Sequence, residues 1–352
     1  MNLKGCREQA GLSQEDLGQQ VGVTRQTVAA WERTERTPSV AQLAKVAKAL
    51  GVPMEMLLEQ QNQNVDTTLL FRSDQPDQLG PELRTLLTHR SKDYAYIERL
   101  VGETSALPPS HMFDGYVPDQ AEQMAREIRD WLGIEQAPVG DVFSLLENRG
   151  LKVILHELPE DVSGFSAFTE ELGAVIFINR RHPTERQYFT AMHELGHLVF
   201  HRRDYGRPEG VRTKDKEKMA DHFAGAVLMP RNVLEKELRA YRNKWLPEPL
   251  LADLKLRYQV SMRTIVVRAG QLNVIQKKQS FQQYRIIANK YGSRHEVPIL
   301  PAPETLSRLN RLVYRALLME EITVSRAAEI LGDSLVAVHD ELRKWLDTGE
   351  VH

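Results

Sequence analysis

RQYFTAMHELGHLVFH, residues 186–201, is the stretch on which the reading of the fold turns. Tyr188, Phe189, Met192, Leu195, Leu198, Val199 and Phe200 cover most of it, the mark of a largely buried helix. Inside it, His193-Glu194-Leu195-Gly196-His197 is an HExxH pattern. Residues i and i+4 share one helix face, so both imidazoles can reach a single ion. Histidines on a buried helix need polar partners, and a metal satisfies both at once. Glu194 follows the first of them and projects beside the ion. There a carboxylate can take a proton from a water whose pKa the metal lowers toward ~7.

A catalytic zinc wants a third protein ligand and an open position. Downstream, Glu217-Lys-Met-Ala-Asp221 forms an ExxxD pattern on a second expected helix. Glu217 is the expected third ligand. Asp221, one turn on, can accept the free N–H of a ligand histidine. The bland alternative is a pair of solvated acids in the charged run TKDKEKMAD. His201 stands two turns beyond His193, too far along a straight helix to share the ion. His222 is a weaker alternative. The pattern HExxHxxGxxH is excluded because Phe200 and Arg203 occupy its last two fixed positions. Tyr205, His222 and Tyr241 are the candidates for steadying a developing oxyanion.

Upstream of this helix, 151–158, 164–169 and 174–179 are short runs rich in Val, Ile and Phe, punctuated by Pro159, Gly164 and Gly173, and read as strands. The run 174–179 is the expected edge strand, where an extended substrate could pair by strand addition. Helices are expected over about 119–132 and 139–148, and over 81–104, with Pro108, Pro109 and Pro118 breaking the chain between them. The polar stretch QNQNVDTTLLFRSDQPDQLG, 61–80, reads as a linker. From 214 the chain is helical almost to its end, including a helix–turn–helix pattern over 303–346 suited to packing, autoinhibition or dimerisation.

The first 59 residues carry a separate pattern. Ser13, Thr24 and Ser39 each precede a helical run as N-caps, with Gln42 at the capping-box position after Ser39. Gly22-Val23 breaks the first pair of helices. Leu12, Leu17, Val21, Val23, Val28, Trp31, Leu43, Val46 and Leu50 supply a core at helical spacing. Two helices joined by a short Gly-bearing turn make a helix-turn-helix. Seven basic residues (Lys4, Arg7, Arg25, Arg33, Arg36, Lys45, Lys48) balance seven acidic ones (Glu8, Glu15, Asp16, Glu32, Glu35, Glu55, Glu59) here. Phosphate neutralisation dominates non-specific affinity, so a single copy should bind DNA weakly, and a homodimer is expected to double the contacts. The alternative is a protein-interaction module.

Over the whole chain, Lys plus Arg is 46 and Asp plus Glu 48, so no charge excess points to nucleic acid or membrane. Cys6 is the only cysteine, which excludes an intrachain disulfide and a cysteine metal cluster. No apolar run approaches the roughly 18 residues of a membrane helix, and the N-terminus lacks a signal-peptide core. The expected location is the cytoplasm.

Two family resemblances attach to these motifs. GLSQEDLGQQVGVTRQTVAAWERTERTPSVAQLAKVAKALGVPMEMLL, within about 1–58, resembles the Xre/Cro-like phage-repressor family. That resemblance implies double-stranded DNA as a partner. It puts Arg25, Gln26 and Ala30 at base edges, Gln14 on a phosphate, and Thr24 at the head of the recognition helix. Arg and Gln suit guanine and adenine. HELGHLVFH followed by EKMADHFAGAVLMP, with APVGDVFSLLENRGLKVILHELP, VIFINR and RQYFTAMHELGH before it, resembles the ImmA/IrrE family of metallopeptidases over about 120–270. It implies a Zn2+ peptidase with ligands His193, His197 and Glu217, general base Glu194, and a protein substrate such as a DNA-bound repressor.

The expected architecture is mainly α with a small β-sheet. It comprises an all-α helix-turn-helix domain (1–59), a linker and helical segment (60–118), an α+β zincin-like metallopeptidase domain (119–275) and a C-terminal helical region (276–352). The expected function is a DNA-binding transcriptional regulator with a zinc-dependent endopeptidase domain that cleaves a partner protein. The other readings are a ligand-sensing transcription factor whose peptidase-like domain is not proteolytic, and an antitoxin- or immunity-type binding protein.

Overall fold

In the computed structural model, residues 3–33, 36–52, 54, 57, 70–71, 79–103, 107–112, 114–205, 214–292, 296–303 and 307–347 are described. Most of the expected linker lies outside them. Contacts divide the chain into two units, residues 1–69 with 75–93, and residues 70–74 with 94–352.

The first unit is built on α1 (Leu3–Gln9), α2 (Gln14–Val21), α3 (Arg25–Glu32) and α4 (Val40–Leu50). Caps fix where these helices begin. The Ser13 hydroxyl accepts the Asp16 N–H, and Asp16 returns the bond to the Ser13 N–H. Thr24 accepts from the Thr27 N–H, and Ser39 and Gln42 form a second reciprocal box. Leu17, Val21, Val28, Trp31, Leu43, Val46 and Leu50 are buried together with Leu3 and Cys6. Leu12 and Val23 are only partly buried against this core.

In the second unit, β2 (Lys152–His156), β3 (Gly164–Thr169) and β4 (Gly173–Asn179) form a small sheet, joined at one side by a two-residue β1 (Leu70–Phe71). The order is β1-β3-β4-β2. β3 and β4 are an antiparallel hairpin, and β2 runs parallel to β4. This corrects one expectation: 174–179 is not an edge. Burial decides the point, because Ala174 through Ile178 are shielded on both faces, as suits a central strand. The strand next to the HExxH helix on the open side is β3.

The helices around the sheet are α5 (Pro81–Leu100), which straddles the two units, then α6 (Pro118–Leu132), α7 (Val142–Asn148), α8 (Thr184–Phe200) and α9 (Lys214–Leu228). α8 carries the HExxH pattern and lies on β3 and β4, with α9 and α6 packed behind it. Tyr188, Met192, Leu195 and Val199 of α8 join Met219, Phe223 and Val227 of α9 in one core. Gly196 sets how closely α8 and α9 approach: a Cβ there would lie 3.0 Å from Phe223 and 3.2 Å from the Ala220 Cα.

The remaining helices are α10 (Arg231–Glu237), α11 (Glu248–Tyr258), α12 (Met262–Gln271), α13 (Lys277–Tyr291), α14 (Arg308–Leu318), α15 (Val324–Leu331) and α16 (Leu335–Asp347). The C-terminal helices are tied in by buried polar contacts. The Arg308 N–H donates to Glu147 at 2.7 Å, and the Arg308 guanidinium and Lys152 both meet Glu98. Burial pushes the Glu147 carboxyl up to about 7, against the Arg308 N–H bond that favours its charged form. α15 and α16 are joined through Gly332, giving the expected helix, turn, helix over this stretch.

Candidate metal centre

His193 and His197 stand one turn apart on α8, with the ring of His197 buried and that of His193 partly exposed. Their Nε2 atoms are 3.0 Å apart. Glu217, in the first turn of α9, reaches the same point from the opposite side. Its carboxylate oxygens lie 3.3 Å from His193 Nε2 and 3.4 Å from His197 Nε2. One ligand atom from each of the three falls within 4.8 Å of the others, a spacing that can hold a single ion.

The outer nitrogens are engaged as well. Asp221 Oδ1 accepts from His193 Nδ1 at 2.8 Å. A carboxylate only accepts, so this contact fixes the tautomer and leaves the Nε2 lone pair facing inward. On the other imidazole, His197 Nδ1 lies 2.8 Å from His201 Nδ1. His201, set aside as a ligand on spacing, therefore backs His197 from a site one turn along α8. Lone pairs and a carboxylate converging at these distances repel each other unless a cation joins them. With protein atoms alone a proton serves. Burial works to lower the His193 pKa, but the hydrogen bonds its ring donates to Asp221 and Glu217, and the charges of Asp221 and Glu194, push it up to about 10. The donor set of two imidazoles and one carboxylate, with an open side, fits zinc.

Glu194 is 4% exposed and is held by a residue the sequence reading missed. Ser166, on β3, donates its hydroxyl to Glu194 Oε2 at 2.6 Å. Tyr205 OH lies 2.6 Å from the same Ser166 oxygen and completes the chain by donating to it. Tyr205, one of the oxyanion candidates, is thus spoken for through Ser166. His222 points elsewhere: its Nδ1 meets Tyr116 OH at 3.0 Å and its Nε2 meets Glu122 at 2.9 Å. That engagement places it outside the three-ligand cluster. Tyr241 packs against the hydrophobic core. A lone serine 28 positions before the glutamate carries no spacing signal, so only the strand-to-helix packing finds it.

In the first unit, Thr24, Arg25 and Gln26 are exposed at the start of α3, and Ala30 is half-buried. Gln14, expected on a phosphate, donates its side-chain amide to Glu32 at 2.8 Å, beside the Arg7–Glu32 pair. Val28 and Trp31 are core.

Comparison with known families agrees with this two-part construction. The helix-turn-helix family model matches residues 3–57, and the IrrE N-terminal-like domain, peptidase family M78, matches residues 146–269. An uncharacterized HTH-type transcriptional regulator, YgzD, of Bacillus subtilis is 47% identical over 62 residues, 17% of this chain and 94% of that protein. An uncharacterized HTH-type transcriptional regulator of Methanothermobacter thermautotrophicus is 47% identical over 49 residues, 14% of this chain and 71% of its own length. The chain belongs to the helix-turn-helix transcriptional regulators and carries an IrrE/M78 peptidase-like domain behind that module. No described helix is long and apolar enough to cross a membrane.

Proposed function

We propose that the protein is a DNA-binding regulator whose second unit is a zinc-dependent endopeptidase acting on a partner protein, such as a repressor. The convergence of His193, His197 and Glu217 beside a hydrogen-bonded Glu194 is the observation that carries the reading. Zinc held by those three side chains would polarise a substrate carbonyl and lower the pKa of a water. Glu194, oriented by Ser166, is placed to take that water's proton and return it to the leaving amine. Asp221 and His201 keep the two imidazoles turned inward. Arg25 and Gln26 would read base edges in a two-fold DNA site, each contributing about 1–3 kcal/mol of discrimination.

Zinc analysis paired with Glu194→Gln tests the reading. We expect one zinc per chain in both proteins and partner cleavage only in the parent. Cleavage that survives the substitution would exclude Glu194 as the base. For the DNA-binding module, Arg25→Ala with Gln26→Ala should abolish an operator shift while zinc stays bound.

One observation favours a second, ligand-sensing reading. A cavity of about 520 Å³, lined by Arg186, Phe189, Arg263, Val267 and Tyr284, reaches Asp221. A small molecule seated there would touch the partner of His193. Regulation that proceeds normally in Glu194→Gln would select this reading over proteolysis.

A further inference from the structure

The cavity of about 520 Å³ lies behind the metal cluster, between α8, α9, α12 and α13 of the second unit. His193 sets its place. Nε2 of that ring faces Glu217, while Nδ1 faces Asp221 at 2.8 Å, and Asp221 lines the cavity. Among the described residues, His193, His197 and Glu217 do not line it. An occupant therefore sits against the carboxylate that holds His193, away from the point where the three ligands converge. The volume falls within the roughly 300–1,000 Å³ of ordinary small-molecule sites.

Charge decides what the cavity can hold. Glu185 meets Lys255, Asp221 meets His193, Arg263 meets Glu296 and Arg268 meets Glu122. Arg186 is the remaining charged residue in the wall. Its Nε and one terminal nitrogen donate to the Ser163 hydroxyl at 3.1 and 2.7 Å, and among the described residues no carboxylate meets it. Partial loss of water, then the charge of Arg263, holds the Arg186 guanidinium below its ordinary pKa. Two mutually repelling guanidiniums with N–H groups to spare suit a carboxylate or a phosphate. The first N–H groups of α12 are already taken by Glu296, so the arginines and not the helix end are the anion's partners. The rest of the wall offers apolar surface. Phe189, Val267 and Tyr284 line the cavity, and Val267 and Tyr284 continue into an adjoining one of about 390 Å³ with Phe281. Lys277 is the charged residue lining that second cavity. Val267, Phe281 and Tyr284 are exposed despite their size.

We propose that this cavity binds an organic anion, a carboxylate or phosphate head on an apolar body, and that the bound anion tightens zinc at the cluster through Asp221. This deepens the ligand-sensing reading of the same cavity and rests on it. The head bridges Arg186 and Arg263, and the body lies along Phe189, Val267 and Tyr284. Negative charge added beyond Asp221 favours a cation on the inward side of His193. Coupling of this kind is reciprocal, so zinc tightens the anion by the same factor.

The experiment titrates the full-length chain, with and without zinc, by calorimetry. The probes are 3-phenylpropionate, phenyl phosphate, inorganic phosphate and, as the uncharged match, 3-phenylpropanol. We expect one of the two aryl anions to bind the zinc-free chain, the tighter one naming the head group. The alcohol should bind at least about tenfold more weakly. Arg186→Gln, a change at a solvent-exposed side chain, should weaken the anion by about the same factor and leave the alcohol unchanged. Val267→Trp, which fills the cavity, should abolish binding of every probe. Zinc should tighten the anion at least about fivefold. Equal binding of acid and alcohol, or an anion indifferent to Arg186→Gln, would overturn the anion assignment. Inorganic phosphate binding as tightly as phenyl phosphate would overturn the apolar body, and binding indifferent to zinc would overturn the coupling. If no probe binds either form, the proposal falls, whereas the ligand-sensing reading is judged separately, by regulation in Glu194→Gln.

Discussion

Two clusters of histidine and carboxylate, one buried and one partly exposed, lie side by side along α9, and they are finished in opposite ways. Around His222 the cation is built in. Arg268 gives Glu122 two hydrogen bonds, at 2.6 and 3.0 Å, His222 adds a third, and Tyr116 closes the far side of the ring. Around His193 and His197 the donors turn inward, and Glu217 meets them with another pair of oxygens. Asp221 and His222 are consecutive, yet one serves the inward-facing site and the other the closed one. The same residue types make a structural network when an arginine completes them and a binding site when their lone pairs meet one another.

Deleting the built-in cation should give the largest effect. Arg268→Ala leaves Glu122 buried without its principal partner, a loss of about 3–5 kcal/mol of stability. Denaturant unfolding would measure it, with zinc content of the remaining folded protein unchanged. Equal damage from His193→Ala in metal-free protein would erase the distinction between the clusters.

The closed cluster also sets the acid limit. Burial alone would raise the Glu122 carboxyl, but hydrogen bonds from His222 and Arg268 hold it down at about 2, against an ordinary 4.5. Its folded pKa is depressed, so its stabilisation is complete above pH 4.5 and disappears as pH falls through about 2. The loss comes to about 3 kcal/mol at most. Glu122→Gln should flatten that part of the stability profile. An unchanged acid limb in the variant would mean that other carboxylates set it.

Smaller effects are expected at the inward-facing site. Gly196→Ala pushes α9 away from α8 and should cost about 1–3 kcal/mol, with weakened zinc binding because Glu217 rides on α9. Asp221→Asn removes the carboxylate behind His193 and should weaken zinc about 10–100-fold. A chelator competition reads both variants. No change at Asp221 would show that His193 is oriented by its helix alone.

These contrasts also explain what the sequence could and could not disclose. Ser13, Thr24 and Ser39 announce their helices because capping is local chemistry. His193, His197 and Glu217 could be proposed because a ligand pair at i and i+4 leaves a fixed spacing. Glu122 reaches His222 from 100 residues away with no spacing to mark it. Ser166 meets Glu194 only because β3 lies against α8. The place of β4 in the centre of the sheet depends on its parallel pairing with β2, and a Val/Ile-rich run reads alike at an edge or in the middle. β1 went unnoticed because two residues carry no period.

Metal analysis of the ligand variants tests the central claim most directly. After dialysis against buffer without chelator, the purified parent should hold one zinc per chain. Glu194→Gln should hold the same, and His193→Ala and Glu217→Ala should hold none while remaining folded. A parent that purifies folded without zinc, or zinc that persists when His193 and Glu217 are both replaced, would contradict the assignment of this cluster as a metal centre.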